Sequence, residues 1–445
     1  MYIRALLSTI LIVFCYNCNL FAVNKTTVKD YGAVGDGIID DTQAIQTAIN
    51  FNKTIVFPPG EYLINSTLII PSSRSLYGED CVIKAYTPIT MIKIEGGDVK
   101  MKGLSIYGSG KAVHGVVVAS KCRSFNASDC SFHGFFGTEK DQANGIYCSS
   151  MVNSIRIKGC DFYDIDAPLN GEVGDVYGSC QGILVMKVAY CEIKDCNFRD
   201  IRSLEDGDCI QVYGGKMSNG QWGRSAVTIK DCTFHNIWHR AIKFQASKCS
   251  VYNCNIYSDS TRRPSSAIDV FGDNCTVMNT MVNLDYGVHA LAIAGNDFKM
   301  RGCDFSVNVS GNYNTELTKL HSDVVYCTGE RCKIENNIFQ GGYIGLYAPK
   351  AKTGLIIRNN VFKASLVRNI RLYDSWTSNV LIKNNVFEDN IIPIDLHGGD
   401  NVHIVNNIMK VPKSYISALG GVFSSKVKGN TTTDGSVLQV QVKAN

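Results

Sequence analysis

Short stretches in which apolar residues alternate with variable ones recur along most of the chain, and they recur at a fixed place in a longer pattern. One phrase returns as Ile157-Lys-Gly-Cys-Asp-Phe162, Ile193-Lys-Asp-Cys-Asn-Phe198 and Ile229-Lys-Asp-Cys-Thr-Phe234. Further on it becomes Ile334-Glu-Asn-Asn-Ile-Phe339, Ile357-Arg-Asn-Asn-Val-Phe362, Ile382-Lys-Asn-Asn-Val-Phe387 and Ile404-Val-Asn-Asn-Ile-Met409. Counted from Cys130 through Cys160, Cys196, Cys232, Cys254, Thr280, Cys303, Asn337, Asn360, Asn385 and Asn407, the steps are 30, 36, 36, 22, 26, 23, 34, 23, 25 and 22 residues. The basic unit is therefore 22 residues, and longer steps are loop insertions.

Each unit carries a second alternating segment upstream: Gly145-Ile-Tyr-Cys, Gly182-Ile-Leu-Val, Cys209-Ile-Gln-Val, Ala241-Ile-Lys-Phe, Ala267-Ile-Asp-Val and Ala290-Leu-Ala-Ile. Alternation over so few positions means a strand with one buried face. Two or three such strands in 22 residues leave no room for a helix. A leucine-rich frame is absent, and a propeller blade needs about twice the length. The pattern predicts an all-β chain wound as the single-stranded coils of a β-solenoid. Stacking places equivalent residues ~4.8 Å apart in ladders along the axis. The Asn-Asn pairs then form a column at a tight turn, continued by the cysteines, with a structural role.

An open first coil would expose unpaired strand edges, so a cap is required. Residues 41–50 supply it: Ala44, Ile45, Ala48 and Ile49 have helical spacing, with Asp40 or Asp41 as N-cap. Strands are expected at 54–57, 62–64 and 68–70. Residues 28–62 form the capping region, 63–420 the coils, and 421–445 a closing segment.

Arg4 precedes an apolar run from Ala5 to Phe14, and small Ala22 follows a polar stretch, which reads as an export signal over residues 1–22. The run is about half of what a bilayer span needs, so no stable membrane insertion is expected after cleavage. A secreted or periplasmic location follows. Formal charge is 44 − 40 = +4, with 45% hydrophobic and 19% charged residues. That balance fits a large core and excludes a dedicated nucleic-acid binder. Eighteen cysteines would suggest a disulfide framework in an exported protein. Sixteen remain beyond residue 22, and most occupy repeat positions held elsewhere by Val, Leu, Ile or Asn, so they read as small buried hydrophobes.

The segment Asp30-Tyr-Gly-Ala-Val-Gly-Asp-Gly-Ile-Ile-Asp-Asp-Thr42, followed by Gln-Ala-Ile-Gln-Thr-Ala-Ile and by Val56-Phe-Pro-Pro-Gly-Glu-Tyr62, resembles the opening of the pectate-lyase-like superfamily. That group includes polygalacturonase-like enzymes, alginate epimerases and phage tailspikes. The resemblance implies a right-handed parallel β-helix and action on a polysaccharide. Asp36, Asp40 and Asp41 belong to the cap and are read as structural. The Asn-Thr-Asp and Gly-His-Gly sets of a polygalacturonase are absent, and Arg240-Ala-Ile-Lys243 only partly matches its Arg-Ile-Lys. Asp-Pro-His-Glu of an alginate epimerase is also missing, and Arg262-Arg-Pro-Ser-Ser-Ala falls one Arg short of a pectate lyase motif.

Long insertions at 136–144, 166–179, 216–224 and 312–323 would wall a groove. With Ile146, Ile183, Ile210, Ile242, Ile268 and Leu291 as an inward column, the outward column reads Tyr147, Leu184, Gln211, Lys243, Asp269, Ala292. Two positions before the inward residue stand Asn144, Gln181, Asp208, Arg240, Ser266 and His289. Titratable groups thus gather between Asp206 and His289. Taken singly, Lys243 and Asp269 could be an exposed ion pair, Asp206 and Asp208 turn formers around Gly207, and His239 and His289 ordinary surface histidines.

Together, Asp208, Arg240, Lys243, Asp269 and His289 are the candidate catalytic set, with Gln211, Tyr213, His239, Arg262 and Arg263 as substrate contacts. Elimination on a uronate polymer needs a cation at the carboxylate and a base at the adjacent proton, roles for Lys243, Arg240 and His289. Asp206 and Asp208 would orient them or hold Ca²⁺. A hydrolase needs two carboxylates instead, and Asp208 with Asp269 is the pair. From a different class, a non-catalytic polysaccharide-binding or export protein, or a tailspike-like homotrimer, remains open beside a monomeric enzyme.

Overall fold

The computed structural model describes residues 26–445 apart from 139–140, 169–177, 204–206, 260–263, 286, 309–321, 351–352, 374–376, 424–425, 438 and 444–445. Residues 1–22, Asp206, Arg262, Arg263 and most of 312–323 thus lie outside the described residues. Among the described residues no helix is long and apolar enough to cross a membrane.

The chain winds as a right-handed parallel β-helix in which every strand pairs with its copy one coil away. Each full coil gives one strand to each of three parallel faces. The first face includes Ala143–Cys148, Cys180–Met186, Gly207–Tyr213, Arg240–Gln245, Ser266–Val270 and His289–Ile293. The second includes Ser154–Lys158, Tyr190–Lys194 and Val227–Lys230, and the third Asp161–Asp166, Asn197–Arg202 and Thr233–His235. The repeated phrase therefore spans the end of a second-face strand, a tight turn and the start of a third-face strand.

That turn explains its own residues. The first residue of the turn is left-handed in coil after coil: Gly159, Asp195, Asp231, Asn253, Asn279, Gly302, Asn336, Asn359, Asn384 and Asn406, with φ between 48° and 68°. Only Gly, Asn and Asp enter that region cheaply. The second residue is buried and does different work. Asn360 Nδ2 donates to Asn385 Oδ1 at 3.0 Å, Asn385 Nδ2 to Asn407 Oδ1 at 3.0 Å, and Asn407 Nδ2 to Asn430 Oδ1 at 2.8 Å. Each amide also satisfies backbone, as Asn385 Nδ2 does at Ile357 O. The pair is thus split into a turn former and an internal hydrogen-bond ladder.

Where cysteine holds the second position, the thiol donates to the carbonyl two residues back, as Cys196 does to Lys194 O at 3.2 Å. All sixteen cysteines among the described residues are buried and unbridged. Phe132, Phe162, Phe198 and Phe234 stack inside at 4.9 to 5.0 Å between ring centres.

The cap is the helix Thr42–Phe51, with Ile45, Ala48 and Ile49 buried. Capping is shared differently from expectation. Asp41 sits at the N-cap position, but its carboxylate accepts from the Val34 and Gly35 amides, while Asp40 Oδ1 accepts from Thr42 N at 3.0 Å. Strands Thr54–Phe57, Gly60–Ile64 and Leu68–Ile70 then start the solenoid. Beyond residue 420 the winding continues: Lys426–Lys428, Thr431–Thr432 and Gln439–Lys443 pair with the coil before them.

Candidate functional site

The register read from the sequence is the register of the first face. Asn144 pairs with Gln181, Gln181 with Asp208, and Asp208 with Arg240. Outward, Gln211 pairs with Lys243, Lys243 with Asp269, and Asp269 with Ala292. The 136–144, 166–179 and 312–323 insertions each precede a first-face strand, on the entry-column side, whereas 216–224 follows one.

Along that column the chemistry changes from neutral to charged. Asn144 Nδ2 donates to Gln181 Oε1 at 2.6 Å, both buried. On the next rung Asp208 is 0% exposed, with Arg240 Nη1 3.2 Å from Oδ1 and Lys243 Nζ 3.9 Å from Oδ2. Arg240 Nε also donates to Asp269 Oδ2 at 2.5 Å, and the Ser266 hydroxyl donates to the other Asp269 oxygen. Arg240 thus ties two carboxylates on neighbouring rungs into one cluster. Its Nη1 donates to His239 Nδ1 at 2.7 Å, which places that ring's proton on Nε2.

Two expectations change here. Lys243 and Asp269 are not an exposed pair: they are 5% and 7% exposed, and pairing is exchanged, Lys243 facing Asp208 and Asp269 holding Arg240. Ca²⁺ does not fit either, because Asp208 already faces two cations, and a calcium site needs about six to eight oxygens. No group of three potential metal ligands occurs among the described residues.

His289 stands apart from the ion pairs, one rung beyond Ser266. Its Nδ1–H donates to the Asp323 carbonyl at 3.2 Å and its ring stacks on Tyr326 with centres 5.2 Å apart. This tautomer makes Nε2 the basic nitrogen. On the rung of His289, one beyond Asp269, small Ala292 leaves a notch in the outward column. Gln211 donates to Gln245 at 2.9 Å, and Tyr213 meets Trp222 of the 216–224 insertion edge-on at 5.6 Å.

Asp323 and Tyr326 escaped sequence reasoning. The signal was present: Val324-Val-Tyr-Cys repeats the upstream tetrapeptide, but a 34-residue step separates it from the preceding copies. Asp323 is 0% exposed, neither oxygen has a hydrogen-bond partner of normal geometry, and burial pushes its carboxyl up to about 8 against the pull of the Ile344 amide and Arg371. An acid whose folded value is raised binds its proton more tightly folded than unfolded. Its contribution to stability is therefore present at low pH and lost as pH climbs through about 8. We expect the thermal midpoint to fall between about pH 5 and 8, and Asp323→Asn to flatten this part of the profile. Equal slopes in both proteins would contradict the assignment.

Comparison with known proteins gives a consistent picture. Residues 25–262 match the family model described as rhamnogalacturonase A/epimerase, pectate lyase-like, and residues 312–432 match the right-handed beta helix region. Among solved structures, the tailspike protein of E. coli bacteriophage HK620, in complex with a pentasaccharide, superposes with a TM-score of 0.59 at 12% identity, covering 92% of this chain and 80% of that one. A capsule K30/K69-specific depolymerase of Klebsiella phage K64-1 is 46% identical over 59 residues, 13% of this chain and 8% of its own length. Alginate lyase 7 of Azotobacter vinelandii is 31% identical over 133 residues, 27% of this chain and 14% of its own. These two alignments therefore span a small part of either relative.

Proposed function

The chain belongs to the rhamnogalacturonase A/epimerase, pectate lyase-like family, and from that membership we propose that it is an exported, secreted or periplasmic enzyme that cleaves an acidic, uronate-containing polysaccharide by β-elimination. The observation that carries the reading is the burial of Asp208, Lys243 and Asp269 on successive rungs around the largely covered Arg240, whose side chain is 13% exposed. Taking three ionised groups out of water costs several kcal/mol per ion before pairing, and an apolar ladder would be at least as stable. Such a cluster beside loop insertions is better explained by chemistry than by folding.

The parts fit elimination better than hydrolysis. Asp208 is wholly buried and both carboxylates face one guanidinium, so the pair does not flank a bond at the surface as a hydrolase requires. In elimination, Arg240 and Lys243, held by the two carboxylates, offer preorganised donors to the substrate carboxylate. His289 Nε2 removes the proton alpha to that carboxylate. The electron pair becomes the new carbon–carbon double bond, the glycosidic C–O bond breaks, and the leaving oxygen takes a proton from the Tyr326 hydroxyl. Arg240 leans to the Asp269 rung, which puts its guanidinium about one rung, ~5 Å, from that of His289. Gln211, Tyr213 and His239, with Arg262 and Arg263 outside the described residues, are the proposed contacts for neighbouring sugars.

Incubation with pectate, alginate and capsular polymers should produce chain ends that absorb in the unsaturated-uronate band, and Lys243→Ala should suppress them. Reducing ends without that absorbance would mean hydrolysis. Tight binding with no cleavage would mean a non-catalytic polysaccharide-binding or export protein, and sedimentation under the same conditions separates the monomer from a tailspike-like homotrimer.

A further inference from the structure

The outward column does not stop at the notch. Ala292 pairs with Tyr326, Tyr326 with Tyr347, Tyr347 with Arg371 and Arg371 with Asp395, while Arg368 enters the same strand as Arg371. Here a second charged group assembles on different terms from the first. Arg371 Nε lies 3.4 Å and Arg368 Nε 3.6 Å from the same oxygen, Asp395 Oδ2, and His397 Nε2 lies 3.5 Å from it. Both Nε atoms are buried without a hydrogen-bond partner. Arg371 Nη2 reaches His397 Nε2 only at 3.5 Å, and Arg368 Nη1 donates to Val367 O.

The charge count separates the two groups. Among the described residues, Arg240 and Lys243 against Asp208 and Asp269 give 2 − 2 = 0, whereas Arg368 and Arg371 against Asp395 give 2 − 1 = +1 before any charge on His397 is counted. Asp323, within electrostatic reach of Arg371, holds its proton to about 8 and adds no second negative charge at neutral pH. The arginine side chains are 25% and 28% exposed, so their ends are open to a ligand. Tyr373 lies beneath the Arg371 guanidinium at 4.7 Å and 4.2 Å from the His397 ring, which holds the planar fork in place. Two guanidiniums sharing one carboxylate have donors to spare, and a guanidinium fork matches a carboxylate in geometry as well as charge.

We propose that Arg368 and Arg371 form an anion-binding subsite that receives the carboxylate of an acidic sugar residue, five rungs or about 24 Å along the axis from Lys243. The proposal rests on the acidic-polymer reading of the first cluster and deepens it: the polymer lies along the first face, and the enzyme also grips it by charge two to three rungs beyond the groups that cut it. The rung of Tyr347 separates Arg371 from Tyr326 and the cutting groups.

Titration with a uronate oligosaccharide and with the same oligosaccharide reduced at its carboxyl groups tests this. Removing both guanidiniums in Arg368→Gln/Arg371→Gln should weaken uronate binding about ten- to a hundredfold, the loss expected for hydrogen bonds to a charged partner, and leave the reduced ligand unaffected. If the double variant does not fold, Arg371→Lys, which keeps the charge and loses the fork, should still weaken uronate binding severalfold. A folded variant that binds the uronate as well as wild type overturns the subsite, as does an equal loss for the reduced ligand. Inorganic sulfate separates this failure from that of the polymer reading. Thermal stabilisation by sulfate in wild type that disappears in the variant supports the anion site even where no uronate binds, and that second result would sink the acidic-polymer reading alone. Sulfate stabilisation that survives in the variant, with uronate affinity unchanged, overturns the subsite outright.

Discussion

Replacing His289 with alanine should lower the rate of polymer cleavage by about 10²- to 10⁴-fold, the usual yield of a positioned general base. The fold should survive the change. His289 is only partly buried, and the interactions given up include the bond to the Asp323 carbonyl and a ring contact with Tyr326. Binding should also survive, because Arg240, Lys243 and the Arg368/Arg371 pair are untouched. The expected signature is a fall in kcat with little change in KM, measured with a protein whose circular dichroism matches wild type. Tyr326→Phe should act in the same direction with a smaller effect, since solvent can supply the leaving-group proton. Activity within threefold of wild type in His289→Ala would remove the base from the scheme.

The largest effect on stability should come from the asparagine ladder. Asn385 is 0% exposed; its Oδ1 accepts from the Asn360 backbone and side chain, and its Nδ2 donates to Ile357 O and Asn407 Oδ1. Asn385→Ala strands those partners inside the solenoid. At about 1–3 kcal/mol for each group left buried and unpaired, partly offset by relaxation, the cost should be about 3–5 kcal/mol, large against the stability of most proteins. The neighbouring Asn384 has φ 56° and serves only the turn. Asn384→Gly should therefore be close to neutral, and Asn384→Ala should cost about 1–2 kcal/mol for the left-handed backbone. Urea unfolding of the three variants reads the difference. Similar losses at 384 and 385 would mean that the ladder is decoration and the turn geometry is everything.

How far the sequence carried this reading follows from the physics of a solenoid. Each coil contacts its neighbours and little else, so one repeat register places every residue relative to residues about two dozen away. That is why the inward isoleucines, the entry column from Asn144 to His289 and the outward column from Gln211 to Ala292 could be written down before any coordinates. Side-chain choice of partner was not legible in the same way. Register puts Lys243 beside Asp269, yet Arg240 is long enough to reach across a rung and take that carboxylate, leaving Lys243 to Asp208. Burial was missed for the same reason: an outward-pointing position says nothing about what covers it. The continuation through Tyr326, Tyr347 and Arg371 was lost because a long insertion broke the spacing while the tetrapeptide itself went on repeating.

Which bond-breaking chemistry the buried charges serve is the claim on which the rest depends, and it can be measured at the product. Cleavage carried out in water enriched in oxygen-18 distinguishes the routes atom by atom. Elimination takes no oxygen from solvent, so the account predicts unlabelled fragments when the new reducing ends are trapped by borohydride before their anomeric oxygen exchanges, each scission giving one unsaturated uronate end. One oxygen-18 per broken bond, with no unsaturated end, would contradict it.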